Sequence, residues 1–322
     1  MRYFLQRFLQ LVLVFVIVTF SVLVVMRIGS KDPVTMSIKL AGKPLTPQES
    51  AEMIQRYSLD SNFFVQYLTW VKNLIFHFDL GTSPQNSATV AALLKPRVWT
   101  TVLLGLYAII FGLLIAIPVA VWQAYRRDRL FDKAGSMLTF VGVGIPGIVL
   151  GLFLKLLFVV HWRIFPSIGD KIYPWDDLGA HIKNFFLPTL TLVIPVAAIY
   201  ARLLRADMIM TLQSDFVTLA SAKGVPPQRV LWKHALRNSL FSLVTAVGTQ
   251  LGALVGSAVL VESLFDLDGL GAQLVTSVLS SDLFTVQSFV AIIVLIVVVV
   301  NLLTDLSYAL IDPRIRQARA LG

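Results

Sequence analysis

Apolar residues gather along the chain into six blocks separated by polar and charged stretches: Phe8–Ile28, Trp99–Trp122, Ser136–Val160, Leu187–Leu204, Ser239–Val261 and Phe284–Leu310. Each is close to the roughly 20 residues that a helix needs to cross about 30 Å of hydrocarbon. The pattern predicts an all-α, polytopic membrane protein with six transmembrane helices. The first block follows Arg2 and Arg7 and exceeds the apolar core of a secretory signal. No small-x-small cleavage site comes after it, so residues 1–28 are expected to remain as the first span.

The polar stretches have patterns of their own. Residues 29–98 are too long for a plain connector. Thr46-Pro47-Gln48-Glu49 is a capping box with proline at the first helical position, predicting a short helix to about Tyr57. Phe63, Phe64, Tyr67, Leu68, Val71, Leu74 and Ile75 recur at helical spacing and predict a second helix over 62–76. Asp79, Gly81 and Ser83 mark a turn, and Ser87 is placed to cap a third short helix to Leu94. The segment reads as a small external subdomain, followed by a five-helix core over 99–322.

Within the spans, small residues and prolines cluster. The third block carries Gly142, Gly144, Pro146, Gly147 and Gly151, and the fourth carries Pro188 and Pro195. In lipid such residues let helices approach closely, and neighbouring helices satisfy the backbone groups that proline frees. The fifth block has Gly248, Gly252 and Gly256 on one face, with Gln250 near its middle. A carboxamide in hydrocarbon must face the bundle or a watery path. Gly248, Gln250, Gly252 and Gly256 are therefore the candidates for a translocation path or subunit interface.

Composition agrees. Hydrophobic residues make up 57% of the chain and charged ones 14%, against roughly 25% charged in soluble domains. The net charge of +9 raises nucleic acid as a partner, but its distribution gives another reading. An even number of spans puts both termini on one side. Segments 1–7, 123–133, 202–238 and 312–322 hold 15 of the 27 Lys and Arg in 66 residues, whereas 27–98, 161–185 and 262–283 hold 11 in 119. The positive-inside rule makes the first set cytoplasmic, so the charge encodes topology and no nucleic-acid role follows. There are no cysteines, and His77, His161, His181 and His234 share no ligand spacing, so no metal site is expected.

The most informative segment is the cytoplasmic loop 205–238. Asp215 can cap a short helix on which Phe216, Leu219 and Ala220 share a face. Lys223-Gly224 ends it, with lysine suited to the C-terminal dipole and glycine to a left-handed cap. Pro226-Pro227 opens a second helix bearing Arg229, Lys233 and Arg237 in a basic stripe. Ala220, Ser221 and Ala222 are small enough for a partner to approach closely. The residues alone leave two readings open: a helix that docks in a partner's groove, or an amphipathic loop resting on lipid.

Thr218-Leu219-Ala220-Ser221-Ala222-Lys223-Gly224-Val225, followed by His234-Ala235-Leu236-Arg237-Asn238, resembles the cytoplasmic loop of ATP-binding-cassette importer permeases. The match is to the di- and oligopeptide branch, which also includes nickel and glutathione permeases, where the loop reads much like R-T-A-R-A-K-G-L … H-A-L-R-N. Further pieces follow in order: Gln66-Tyr67, Asp79-Leu80-Gly81-Thr82-Ser83, Leu187-Pro188-Thr189-Leu190-Thr191-Leu192, Ala201-Arg202, Glu262-Ser263-Leu264-Phe265 with Gly269-Leu270-Gly271, and Asp305-Leu306, Tyr308-Ala309-Leu310 and Asp312-Pro313-Arg314-Ile315-Arg316. The resemblance covers nearly the whole chain. It departs at Phe241-Ser242, where the family commonly has Leu-Pro, and at Asp268, where it commonly has proline.

The resemblance implies the type I importer permease fold in a bacterial inner membrane, with both termini cytoplasmic. It implies a homologous second permease subunit, two ATPase subunits that bind ATP and Mg, and an external substrate-binding lipoprotein. Phe216, Thr218, Leu219, Ala220, Ser221, Ala222, Lys223 and Gly224 would form the helix that couples to the ATPases. The chain has no Gly-x-x-x-x-Gly-Lys-Ser/Thr loop, so it is expected to bind no ATP by that route, to carry no cofactor and not to be an enzyme. Peptides are the expected cargo, with nickel chelates or glutathione as alternatives. An ion-coupled secondary transporter is disfavoured because Lys155 and Asp305, both near span ends, are almost the only ionisable residues in the spans. No His-Glu-x-x-His motif or intramembrane carboxylate pair points to an enzyme.

Overall fold

Among the described residues, four helices are long and apolar enough to cross a membrane on their own: α5 (Val98–Tyr125), α8 (Leu178–Leu212), α10 (Leu236–Leu264, which continues a helical lead-in from Pro227) and α12 (Leu283–Ile311). The bent pair α6 (Leu130–Gly144) and α7 (Gly147–Leu154, extended to His161 by a π-helix) is a candidate fifth when its halves are taken together. α1 (Arg2–Ile28), at 1.5 Å per residue about 40 Å long, carries the first apolar block. Shorter helices connect them: α2 (Pro47–Tyr57), α3 (Phe63–His77), α4 (Val90–Leu94), α9 (Asp215–Ala222) and α11 (Leu270–Leu279). The computed structural model describes residues 2–28, 37–38, 41–42, 44–57, 59–85, 88–167 and 172–311. Ser87 and Asp312-Pro313-Arg314-Ile315-Arg316 lie outside the described residues.

The chain divides into two compact units, Met1–Thr100 with Asp268–Val299, and Thr101–Leu267 with Val300–Gly322. In the first, the capping box forms as read: the Thr46 N–H donates to Glu49 Oε2 at 2.8 Å and the Glu49 N–H to Thr46 Oγ1 at 3.3 Å. Asn62 caps α3 through the Phe64 N–H. α3 does not merely cover the end of the first span. The Tyr67 hydroxyl lies 2.8 Å from Thr19 Oγ1, nine residues inside the end of α1, and Phe20 packs against Phe63, Phe64 and Tyr67. Thr89 caps α4 by accepting from the Ala92 N–H.

The Asp79–Ser83 turn has a definite job in this unit. Gly81 takes φ +85° and donates its N–H to Asp79 Oδ1. That aims Ser83 Oγ at the buried Asp282 carboxylate, which also takes the N–H and hydroxyl of Thr285 at the head of α12. Ser288 Oγ donates to the Leu80 carbonyl at 2.6 Å. Asp268, where the family commonly has proline, instead pairs with Arg97 Nε at 2.6 Å.

In the second unit α5, α8 and α10 enclose two apolar clusters. One includes Leu104, Phe185, Leu187, Leu254 and Phe265, and the other includes Ala116, Ala120, Tyr200, Leu204 and Leu243. Ala108, Gly112, Ala116, Ala120 and Ala124 recur every four residues on α5 and form the small-residue row that admits α8. A β-carbon at Gly112 would come within 2.9 Å of Val196 Cγ1. Pro118, Pro188 and Pro195 all sit inside unbroken helices.

One sequence expectation needs correction. The third span is not continuous over Ser136–Val160. It breaks at Ile145-Pro146 and turns by 99°, because proline drives Ile145 into extended backbone (φ −83°, ψ 122°) and Pro146 then starts α7. The helix from Pro227 is continuous with the fifth span. It runs into α10 through a π-helix over Val230–Ala235, and the helix is unbroken at Phe241-Ser242.

Candidate functional site

α9 occupies the segment whose sequence singled it out. Its N-cap is Ser214 rather than Asp215, which lies in the first turn where a carboxylate suits the helix dipole. Its end is a complete Schellman arrangement: the Gly224 N–H reaches the Ser221 carbonyl at 3.0 Å and the Val225 N–H reaches Ala220 at 3.2 Å. Gly224 takes φ +78°, the left-handed conformation that glycine adopts without penalty. The chain therefore turns back sharply toward Pro226.

The faces of α9 differ from the expectation in one respect. Val217 is 4% exposed and anchors the helix to the bundle. Ala220, one turn on, is half-buried on that same side. The apolar groups that point away are Phe216 and Leu219, at 45% and 57% exposure. Thr218, Ser221, Ala222, Lys223 and Gly224 are also exposed. This chain thus offers a short helix with two large uncovered apolar side chains and a small-residue rim. Arg229, Lys233 and Arg237 are exposed as well, but the π-helix between them twists the stripe away from a straight i, i+4, i+8 row.

The break in the third span opens a cavity of about 450 Å³, bordered by Ile145, Pro146 and Gly147, by Thr191 and Pro195 of α8, and by Gln250 and Ser257 of α10. The Thr191 hydroxyl bonds back to the Leu187 carbonyl and the Ser257 hydroxyl to Ala253. The half-buried Gln250 carboxamide therefore carries the site's readiest polar group among mostly apolar walls. Sequence reasoning placed Gln250 with Gly248, Gly252 and Gly256, but those glycines are absent from the lining and lie toward the other side of α10. Gly248 is buried, Gly252 half-buried and Gly256 exposed, and a β-carbon on Gly256 would meet nothing within 4 Å. Thr191, Ser257 and the Ile145-Pro146-Gly147 corner were missed, although Pro-Gly was the visible signal for the corner.

A second cavity, about 460 Å³, lies between α5 and α8 and is walled by aliphatic and aromatic groups such as Phe111, Phe185 and Leu190. Tyr107 Oη stands 3.1 Å from His181 Nε2, while His181 Nδ1 lies 2.6 Å from the Ile172 carbonyl. Both ring nitrogens have partners, so His181 is a packing histidine. Among the described residues no group of three His, Cys, Asp or Glu is placed to hold a metal.

Comparison with known proteins identifies the family of the chain. Residues 108–317 match the family described as binding-protein-dependent transport system inner membrane component, and residues 1–107 match its N-terminal companion family. The chain is 31% identical to the oligopeptide transport system permease protein AppB of Bacillus subtilis over 315 residues, 97% of this chain and 98% of that one. It is 33% identical to the dipeptide transport system permease protein DppB of Escherichia coli, covering 89% and 91%. It is 32% identical to the glutathione transport system permease protein GsiC of Salmonella choleraesuis, covering 98% and 99%. The chain belongs to the family of binding-protein-dependent transport system inner membrane components, the membrane-embedded permease subunits of ATP-binding-cassette importers.

Proposed function

We propose that this chain forms, with a homologous second permease, the pathway by which an importer takes up peptides. The observation that carries the reading is near-full-length likeness to permeases named for oligopeptides, dipeptides and glutathione, cargoes that share a peptide linkage. A cavity with mostly apolar walls and one carboxamide suits ligands with a common backbone and varied side chains. Two ATPase subunits would bind ATP and Mg, and an external lipoprotein would deliver the cargo. α9 would dock on an ATPase subunit, and the break in the third span would be where access alternates. That is a two-state element biased from its cytoplasmic end.

The test is uptake by the complex reconstituted with its partner subunits, using labelled dialanine, trialanine, glutathione and a nickel–histidine chelate in parallel. The expected result is saturable, ATP-dependent uptake of dialanine or trialanine that disappears without this chain. Import of glutathione or nickel chelate alone would reassign the cargo. Uptake driven by a proton gradient without ATP would reject the importer reading.

Orientation is a separate expectation. The basic bias places both termini and the Gln123–Lys133 loop in the cytoplasm and residues 29–98 outside. Reporter fusions at Ala41 and at Gly322 should report opposite sides. Fusions reporting the same side would contradict six spans.

A further inference from the structure

The loop Gln123–Lys133 read in sequence as a topology signal, but it contains a buried carboxylate. Asp132, at the start of α6, is 2% exposed. Its two oxygens take Nε and Nη2 of Arg205 at 2.5 and 2.6 Å, and one also accepts the Asp128 N–H. This two-pronged geometry is the strong form of a carboxylate–guanidinium pair. Arg205 stands on α8 near its cytoplasmic end, and α8 runs unbroken to Leu212, two residues before the N-cap of α9.

α6 is also clamped at its other end. A β-carbon on Gly142 would lie 3.0 Å from Ala198 Cβ, so α6 and α8 meet backbone to backbone just before the break. Beyond the break the chain gains a second neighbour. Gly151 packs against Leu264 and Phe265 and against Thr191 of α8, and Lys155 pairs with Asp266 at 2.9 Å. The third span thus has one half packed on the helix that leads to α9 and the other half wedged between that helix and the far end of α10. The cavity lies at the corner between them. Beside Asp132, Gln123 is fully buried against Gly135, with neither amide atom partnered among the described residues. An orphaned buried amide marks a junction that is not optimised for this conformation alone.

We propose that the Asp132–Arg205 pair is a strut that carries movement of α9 into the corner of the third span. Asp132 and Arg205 are positioning residues: they touch neither cargo nor nucleotide, and they fasten α6 to α8 so that the two move as one body, while α7 bridges α8 and α10. The proposal rests on α9 being the docking helix, a reading that Leu219→Glu tests separately through loss of the ATPase subunits.

The experiment uses the whole complex and the absence of native cysteine in this chain. Ser257→Cys places one thiol in the cavity, and its reaction with a maleimide is followed in the nucleotide-free and the ATP–vanadate-trapped complex. With the strut intact, labelling should differ several-fold between the two states. Asp132→Asn and Arg205→Gln should each reduce the difference to less than about twofold, while the ATPase subunits still co-purify. Exchanging the charges, Asp132→Arg with Arg205→Asp, should restore part of it. Labelling that still switches in the single variants overturns the strut, as does loss of the ATPase subunits in them, which would place the pair in the docking surface. A second measurement does not depend on those variants accumulating. Gly142→Cys with Ala198→Cys brings two β-carbons near disulfide range. Uptake of dialanine and vanadate trapping should survive oxidation if α6 and α8 move together, and loss of both on oxidation with recovery on reduction overturns the proposal.

Discussion

Leu219→Glu should insert in the membrane, pair with the second permease and emerge from purification without ATPase subunits, so that uptake falls to background. Leu219 is 57% exposed and packs in no core of its own chain, so the substitution leaves the fold untouched. What it changes is the docked state. An apolar side chain that contributes about 1.5–3 kcal/mol on burial is lost, and an unpaired carboxylate enters the interface at a further cost of several kcal/mol. At about 1.4 kcal/mol per tenfold, affinity should fall by more than about a thousandfold. Phe216→Glu should behave the same way. Ala220→Glu is a less clean test, because Ala220 faces the side of Val217 and a glutamate there strains the chain itself. Gly224 supplies a graded control: its φ of +78° costs an ordinary residue about 1–2 kcal/mol, while a β-carbon there meets no atom within 4 Å. Retention of ATPases should therefore decline from Gly224→Asn through Gly224→Ala to Gly224→Val. Full ATPase stoichiometry and uptake in Leu219→Glu would move the docking surface to the basic loop Gln123–Lys133.

The helix α9 was legible as a helix because local chemistry alone specifies it. A first-turn aspartate, a run of small helix formers, a glycine stop and a proline restart agree with one another, and no tertiary partner is needed to choose among alternatives. The same holds for the capping box at Thr46 and for the apolar blocks. The broken third span was harder. Pro118, Pro188 and Pro195 remain inside continuous helices, so proline in lipid does not by itself predict a break. At Pro146 a following glycine and the crowded contact at Gly142 let the chain turn, and that contact belongs to α8, far away in sequence. Asp132 shows the same limit. Two acids among four bases read as a solvated loop until α8 brings Arg205 beside Asp132. The π-helix over Val230–Ala235 has no composition signal, and it undoes a basic stripe that a 3.6-residue repeat would have drawn.

Gly256→Leu should leave the chain inserted and as heat-stable as the wild type, yet abolish assembly with the second permease and with it all uptake. A β-carbon at Gly256 meets nothing in this chain, so its glycine answers no internal demand. Contrast Gly151, where the same atom would come within 2.6 Å of Leu264 and 3.0 Å of Thr191, and where overpacking costs about 1–3 kcal/mol within the fold. Gly248 is buried and Gly252 half-buried, so the row runs from the chain's interior outward to Gly256. A small-residue row that continues onto an uncovered face is suited to close approach by another helix, since packing in lipid depends on backbone proximity rather than on hydrophobic contrast. Leucine would hold a partner helix off by the width of a side chain. Gly252→Leu should fail similarly, with some loss of stability because that position is half inside. Gly256→Ala, which adds one small group, should retain assembly. Cross-linking of the two permeases, heat-induced unfolding of this chain and dialanine uptake together read the outcome. Normal pairing and uptake in Gly256→Leu would mean that this face meets only lipid, and the subunit interface would then be sought on the exposed row Leu106, Ile110 and Leu114 of α5.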